Sequence, residues 1–449
     1  MLVRDPGTTV GAPPPWSPFS CANLGNSEFG TTPADIGPIY AVLLFTNSQA
    51  SPIDRADSHR VPMSPTHSIA HEISNDFGVP FTHRLLFDRA VLNPENPLLE
   101  TVFECRNDDA PRSGMIAVVD QGLADAQPNL QAAIATRFAD PSLPELREIL
   151  LVPGGEACKN DPTVIDRILV SIEKNRIDRR SYVAIFGGGA VLDAAGFAAS
   201  TAHRGVRVVR FASTVLAQLD AAIGVKNGVN RFKKKNFVGT FDVPVAVVCD
   251  ESMLESLDDC HWRDGFSEAV KIACLQDAAF FDAISDAAGL IKDRDMDAAR
   301  PIIRRCAEMH LEHIGSGGDP FERLEARPLD FGHWAAHRLE SMSDFGLSHG
   351  EAVAIGICLD SAYSHLIGRL DKTEFDRIID VMTRLGLPIS HPLLADDRLL
   401  TGLEEFREHL GGRLTITLLD EIGRGVDVNE MDLGILRRAI THLNSNASV

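Results

Sequence analysis

Tyr182-Val-Ala-Ile-Phe186-Gly187-Gly188-Gly189-Ala-Val-Leu-Asp193 is the stretch that decides the fold. Tyr182 to Phe186 is an unbroken apolar run, the pattern of a strand covered on both faces, as strands of parallel sheets are. Three glycines end it, and a helix opens over Leu192–Thr201. Glycines at a strand-to-helix turn let the backbone approach a phosphate, and the positive end of the helix favours the negative charge. The spacing is not GxGxxG, so a tight turn without a ligand is the competing reading.

Outward from this turn the pattern repeats. Upstream, Gly114–Asp120 and Ile149–Pro153 are short apolar runs, and Pro162 to Lys174 carries helical spacing at Val164, Ile168, Leu169 and Ile172. Downstream, Val206–Phe211 and Val243–Cys249 continue the strand signals. Strands alternating with helices predict a parallel, Rossmann-like α/β sheet. After about residue 255 helical spacing takes over, at 262–275, 277–291, 296–315, 332–344, 350–369 and 373–386. A late run, Arg413–Leu419, reads as a returning strand or short ribbon. The expected organisation is an extension over 1–80, an α/β domain over 81–255 and an all-α domain over 256–449. The extension is rich in Pro, Ser and Thr without sustained periodicity, which predicts disorder. Met63 is an alternative start within it.

Composition narrows the function. The formal net charge of −20 disfavours nucleic acid as a partner, since a phosphate backbone requires a basic surface. The eight cysteines are scattered without a CxxC pair, as in a reduced, cytoplasmic protein. No apolar run reaches the roughly 18 residues of a membrane span.

Several clusters carry chemistry. Asp220 to Asn236 holds five cations in seventeen positions (Lys226, Arg231, Lys233, Lys234 and Lys235) with glycines at 224 and 228. That reads as a loop wrapped around a phosphate, or as a solvated basic loop. Glu156 and Lys159 follow the turn Pro153-Gly-Gly155, either to grip ribose hydroxyls or as a surface ion pair. His333 and His337, four apart, share a helix face, and His349 follows closely. Three imidazoles in so short a span read as a metal site or as separate surface or core histidines, and Glu268 is a hard ligand able to complete a His-His-carboxylate zinc centre. Glu268 and Lys271, three apart, also share a helix face.

Taken in order, PGGEACK, GGGAVLDAAGF, HRGVR, Asp220…Lys226, KKN, EAVK, FGHWAAH and SHGEAVAIG resemble the dehydroquinate synthase family and its relatives, the sugar phosphate cyclases. The resemblance runs from about residue 114 to about 420. It implies an NAD-binding α/β domain, a helical domain and a zinc ion between them, with cobalt as an alternative metal. By motif position, Glu268, His333 and His349 match the zinc ligands. Asp120, Glu156, Lys159, Gly188, Gly189, Asp193, Ser213, Thr214 and Lys235 match NAD contacts. Asp220, Lys226, Asn236, Lys271 and His337 match positions lining the substrate, and Arg204 matches an arginine that family homodimers lend to the neighbouring site. Arg413 matches a late phosphate contact more loosely.

The implied reaction on a small sugar phosphate is transient oxidation, phosphate elimination, reduction, ring opening and intramolecular aldol closure to a carbocycle. Two departures bear on the substrate. Ala326 stands at an arginine position of the family motif and Asp330 at an asparagine position, with Arg327 displaced by one. A lysine expected upstream falls near Glu312 without gaps. Those family cations serve a substrate carboxylate, and a buried anion needs a paired cation. A neutral-headed ketose phosphate such as sedoheptulose 7-phosphate therefore fits better than 3-deoxy-arabino-heptulosonate 7-phosphate, with Asp330 accepting from its hydroxyls. His337 is retained where valiolone-type cyclases often carry proline, which places the chain in a divergent branch. Dehydroquinate synthase proper and a metal-dependent polyol dehydrogenase are the alternatives.

Overall fold

The computed structural model describes residues 73–75, 78–103, 112–232, 234–316, 321, 329–409 and 412–446. The chain divides into Met1–Asp76 and Phe77–Val449, and the elements below all lie in the second unit. Most of the extension, with Met63, lies outside the described residues, as do Lys233, Ala326 and Arg327.

The first half of the second unit runs β1 (Leu85–Asp88), α1 (Leu98–Val102), β2 (Gly114–Asp120), α2 (Gln121–Ala126), α3 (Leu130–Arg137), β3 (Glu145–Val152), α4 (Glu156–Asn160), α5 (Pro162–Lys174), β4 (Tyr182–Gly187), α6 (Gly189–Thr201), β5 (Arg207–Ala212), β6 (Lys226–Arg231), β7 (Lys234–Phe241) and β8 (Ala246–Asp250). Six of these strands form one parallel sheet in the order β1-β8-β5-β4-β2-β3. The apolar runs cover both of its faces. In β2, Ile116 and Val118 enter one core while Met115, Ala117 and Val119 enter the other. This two-residue alternation is what a strand buried on both sides requires.

The chain leaves β2 toward one edge and returns on β4 to the other side, so the crevice between the carboxyl ends of β2 and β4 is the switch point where such sheets hold ligands. Asp120 ends β2 there. A Cβ on Gly154 would lie 2.5 Å from Asp120 Oδ1, and one on Gly187 would meet Val191 at 2.9 Å. The glycines are thus required for packing at the switch point.

The basic stretch from Asp220 differs from expectation. From Lys226 onward it is not a loop but the antiparallel hairpin β6–β7, with Lys226 opposite Phe241 and Val229 opposite Val238. Its local signal is weak because Asn, Gly and Lys are poor strand formers. Long-range polar contacts hold it instead. Asn227 Oδ1 accepts from the buried Arg210 at 2.8 Å, and Asn230 donates to Glu156 at 2.7 Å and Asn160 at 2.9 Å.

The second half is mostly helical: α7 (Asp259–Gln276), α8 (Ala278–Lys292), α9 (Met296–Ser316), α10 (His333–Met342), α11 (His349–Leu366), α12 (Lys372–Leu385), α13 (Thr401–His409) and α14 (Leu433–Asn446). It also contains a hairpin, β9 (Ile416–Glu421) with β10 (Arg424–Val428), so the late ribbon expected from sequence lies inside the helical region. These helices share one large apolar core.

Helices α10 and α11 meet closely at glycines. Gly332, at φ +80°, uses a conformation that L side chains rarely adopt. A Cβ on Gly356 would come within 2.0 Å of the Gly332 carbonyl oxygen. Asp360 on α11 accepts from the Gly332 amide at 3.0 Å and from Trp334 Nε1 at 2.8 Å, fixing the start of α10. Overpacking this contact by Gly356→Ala should cost about 1–3 kcal/mol. Chemical denaturation of the variant and its parent measures it; an unchanged midpoint would mean that the two helices slide apart freely.

Candidate metal and cofactor site

Each prospective metal ligand has its own support. Glu268 sits in the middle of α7 and is fully buried. His333 is the first residue of α10, whose start Asp360 and Gly332 fix. His349 is the first residue of α11, where Ser348 and Glu351 form a capping box. Ser348 also donates to Asp264 at 2.7 Å, tying this helix start to α7. Gly350 lets α11 touch α7, since a Cβ there would lie 2.2 Å from the Asp264 carbonyl oxygen.

The three side chains converge. His333 Nε2 is 3.5 Å and His349 Nε2 is 3.4 Å from the same Glu268 oxygen, Oε1. Four-coordinate zinc with bonds near 2.0–2.1 Å spaces its ligand atoms about 3.4 Å apart, so the trio fits such an ion. Glu268 Oε2 faces the Lys271 ammonium at 2.5 Å, while the buried Oε1 has no hydrogen-bond partner and faces the two imidazoles. A buried carboxylate oxygen in that condition suits a cation held jointly with the two rings. The outer contacts suit a metal as well. His333 Nδ1 donates to the Phe331 carbonyl at 3.2 Å, and His349 Nδ1 faces Glu340 Oε2 at 3.2 Å. Both contacts direct Nε2 lone pairs toward Glu268. Three protein ligands leave a coordination position open.

His337, Glu340 and His349 also lie close enough to form a trio. The two trios share His349, whose Nε2 faces Glu268 and whose Nδ1 faces Glu340, and the resemblance places the ligands at Glu268, His333 and His349, leaving Glu340 to Lys235 at 2.8 Å. Glu340 is therefore an outer partner, aligning His349 while Lys235 balances its charge. Glu340→Gln should lower zinc affinity about 10–100-fold. Competition with a chelator measures the change; parent-like affinity would remove Glu340 from this role.

The electrostatics follow from these contacts. Burial opposes the Glu268 charge, yet Lys271 and His333 hold its carboxyl well below the usual range. Burial would depress the His349 ring, but Glu340 and Glu268 outweigh it and push it up to about 10. A divalent ion can take over the positive charge that this ring otherwise carries. Burial and the neighbouring His333 keep His337 well below its ordinary value, so that ring is neutral. Lys271 Nζ is 2.5 Å from Glu268 and 3.9 Å from Asp220, and these acids raise it despite burial. Asp330 adds to that field, while its carbonyl accepts from the His333 amide at 2.9 Å.

A second group lies toward the sheet. Lys159 pairs with Asp193 at 2.7 Å and contacts Asn236 Oδ1. Glu156 accepts from Asn230 and pairs with Lys235 at 3.0 Å. Asn236, expected at the substrate, thus stands beside Lys159. Lys235 joins the two groups, since it contacts Glu156 on one side and Glu340 on the other. Nearby, Gly188 caps the start of α6, where a Cβ would lie 3.1 Å from Thr214, and a Cβ on Gly189 would meet Ala221 at 2.9 Å. The Ser213 amide donates to the Gly187 carbonyl at 3.1 Å. Asp120 accepts from the Gly122 amide at 2.8 Å, and burial raises its carboxyl.

Other expected residues are exposed. Arg204 is exposed in a left-handed turn after α6, and Lys226 is exposed at the start of β6. Arg413 donates to Asn429 at 2.6 Å in an exposed position. Glu312, the ungapped counterpart of an expected lysine, is exposed on α9. The α9 residue that reaches Asp220 is His310, whose Nε2 is 3.5 Å from Asp220 Oδ1. Sequence reasoning missed it. Its signal was its place on the buried stripe of α9, with Ile302, Ile303, Cys306 and Met309.

Two family models match the chain: the 3-dehydroquinate synthase N-terminal model over residues 149–264 and the C-terminal model over 265–405. A 3-dehydroquinate synthase of Nitrosospira multiformis is 32% identical over 299 residues, covering 66% of this chain and 81% of the relative. One of Halorhodospira halophila is 31% identical over 314 residues, covering 70% and 87%. Among solved structures, the 2-epi-5-epi-valiolone synthase of Streptomyces hygroscopicus, with NAD+ and Zn2+ bound, is 27% identical at TM-score 0.74, over 83% of this chain and 99% of that one. A 2-deoxy-scyllo-inosose synthase, 21% identical at TM-score 0.66 over 80% and 96%, shares the fold. With both halves of the family pattern matched in order, and relatives above 30% identity over four-fifths or more of their length, the chain belongs to the 3-dehydroquinate synthase family of sugar phosphate cyclases.

Proposed function

We propose that the protein is a zinc- and NAD-dependent sugar phosphate cyclase, a phosphate-eliminating carbon–oxygen lyase acting on a seven-carbon ketose phosphate of the sedoheptulose 7-phosphate type. The observation that carries the reading is the junction of the Glu268–His333–His349 trio with Lys271 and Asp220. When bound, NAD supplies a hydride acceptor that is regenerated in the cycle, and zinc supplies Lewis acidity. Residues 268, 333 and 349 hold the metal. Asp120, Gly188, Gly189, Ser213 and Thr214, with the Glu156–Lys159–Asp193 group, hold the dinucleotide at the sheet's switch point.

The chain's own groups do the rest. Lys271, kept charged between two acids, donates hydrogen bonds to a substrate oxygen as negative charge develops there. His337, a neutral ring beside the metal trio, accepts and returns a proton. The hairpin cations Lys226, Arg231 and Lys234 attract the phosphate. Asp330 stands where the family pattern has asparagine, and its charge reaches Lys271. A substrate carboxylate beside it would meet repulsion, whereas hydroxyls would donate to it. The reading includes a cytoplasmic homodimer with Arg204 reaching toward the neighbouring site. Among the described residues, no helix is long and apolar enough to cross a membrane.

The second reading is 3-dehydroquinate synthase itself, favoured by the names of the curated relatives. Phosphate release from both seven-carbon substrates, with the product identified by mass and NMR, separates the two. Preferred release from sedoheptulose 7-phosphate without NADH accumulation is the expected result. Preference for the acidic substrate would establish the second reading, and net NADH production would point to a polyol dehydrogenase.

A further inference from the structure

His310 is a buried histidine on α9 with an unused nitrogen. Its side chain is 6% exposed. Nδ1 lies 3.0 Å from the Cys306 carbonyl oxygen and 3.5 Å from its Sγ; the carbonyl can only accept and is the shorter contact, which assigns the proton to Nδ1. Nε2 is buried, makes no hydrogen bond and faces Asp220 Oδ1 at 3.5 Å. Asp220 also faces Lys271 at 3.9 Å, so its charge is balanced from the other side and does not require a protonated imidazole. Burial is the largest influence on the ring and lowers its proton affinity, in keeping with a neutral His310.

The consequence is two acceptors side by side, a carboxylate oxygen and an imidazole lone pair, next to the Lys271 ammonium. Two such acceptors 3.5 Å apart have nothing to offer each other. They can each receive a proton from one of two adjacent hydroxyls, as a vicinal diol presents them. A carboxylate brings no proton and would face an anion and a lone pair.

We propose that His310 is a specificity-determining residue of the substrate site: through Nε2 it accepts a hydrogen bond from a head-group hydroxyl adjacent to the one held by Asp220, and so selects a sugar phosphate whose head group ends in hydroxyls over one whose head group ends in a carboxylate. This rests on the cyclase reading above, and it assigns the choice of head group to α9.

The test uses the NAD- and zinc-loaded enzyme and measures phosphate release from sedoheptulose 7-phosphate and from 3-deoxy-arabino-heptulosonate 7-phosphate. His310→Leu keeps the bulk and removes the acceptor. It should raise KM for sedoheptulose 7-phosphate by about 10-fold or more, because a hydroxyl then goes unpaired in a dry site. His310→Gln, which can offer an amide oxygen, should recover most of that loss. His310→Lys should move the kcat/KM ratio toward the acidic substrate by about 100-fold. Zinc content and melting temperature should match the parent in all three. The inference is overturned if the parent prefers sedoheptulose 7-phosphate and the Leu and Lys variants leave the ratio unchanged. If the parent itself prefers the acidic substrate, the cyclase reading fails on the unmodified enzyme and diol selection falls with it. The two failures are therefore read from different proteins.

Discussion

The His349→Ala protein should come through gel filtration without zinc and release no phosphate. His349 is presented by the capped start of α11, with Nε2 directed to Glu268 and Nδ1 held by Glu340. Alanine leaves two ligands and returns Glu340 to its pairing with Lys235 alone. Since even an outer partner of a metal-bound imidazole is worth about 10–100-fold in affinity, loss of the imidazole itself should exceed that range. The capping box depends on Ser348 and Glu351, so the helix start survives the change. Zinc quantitation beside a melting curve separates metal loss from misfolding. Full zinc content in the variant would refute the assignment.

Lys271→Met should separate metal binding from turnover. The methionine fills much of the buried volume but removes the one ammonium shared by Glu268 and Asp220. Breaking a buried pair costs about 3–5 kcal/mol when the remaining charge is left alone. In the zinc-loaded protein the ion itself offsets Glu268, so zinc content should equal the parent's. The step that needs a cationic hydrogen-bond donor beside the reacting oxygen should suffer, with kcat falling on the order of 10²- to 10⁴-fold. Phosphate release at saturating substrate measures this. A fall of less than about tenfold would leave Lys271 only a structural role.

These expectations depend on an arrangement that was partly legible in the chain. The buried strands were, because a strand covered on both faces must be apolar throughout, as Met115–Val119 and Tyr182–Phe186 are. The helices from α7 to α12 were legible from their spacing, within a few residues at each end. The β6–β7 hairpin was not. Its residues prefer turns, and what makes them a strand pair is the reach of Arg210 to Asn227 and of Asn230 to Glu156, contacts 17 and 74 residues apart in sequence. The loop expected from those residues was overruled by partners that are invisible locally.

For the site, residue types and order were enough to nominate a carboxylate and two imidazoles, and the family pattern singled out Glu268, His333 and His349 from the other candidates. The tertiary structure supplied what no spacing encodes. It directed two Nε2 atoms to one oxygen, made Glu340 the outer partner of His349, and used Lys235 to join two groups assigned separately from sequence. It also brought the buried His310 of α9, which the sequence reading had not singled out, to face Asp220.

By itself, the sequence determined the parallel α/β sheet and the helical second half, which follow from periodicity, and its resemblance to a family nominated the metal trio. Only the tertiary structure decided which groups neutralise one another and which buried nitrogen is left without a partner. Charge balance and hydrogen-bond satisfaction depend on distances of a few ångströms between residues far apart in the chain, and those distances exist only after folding.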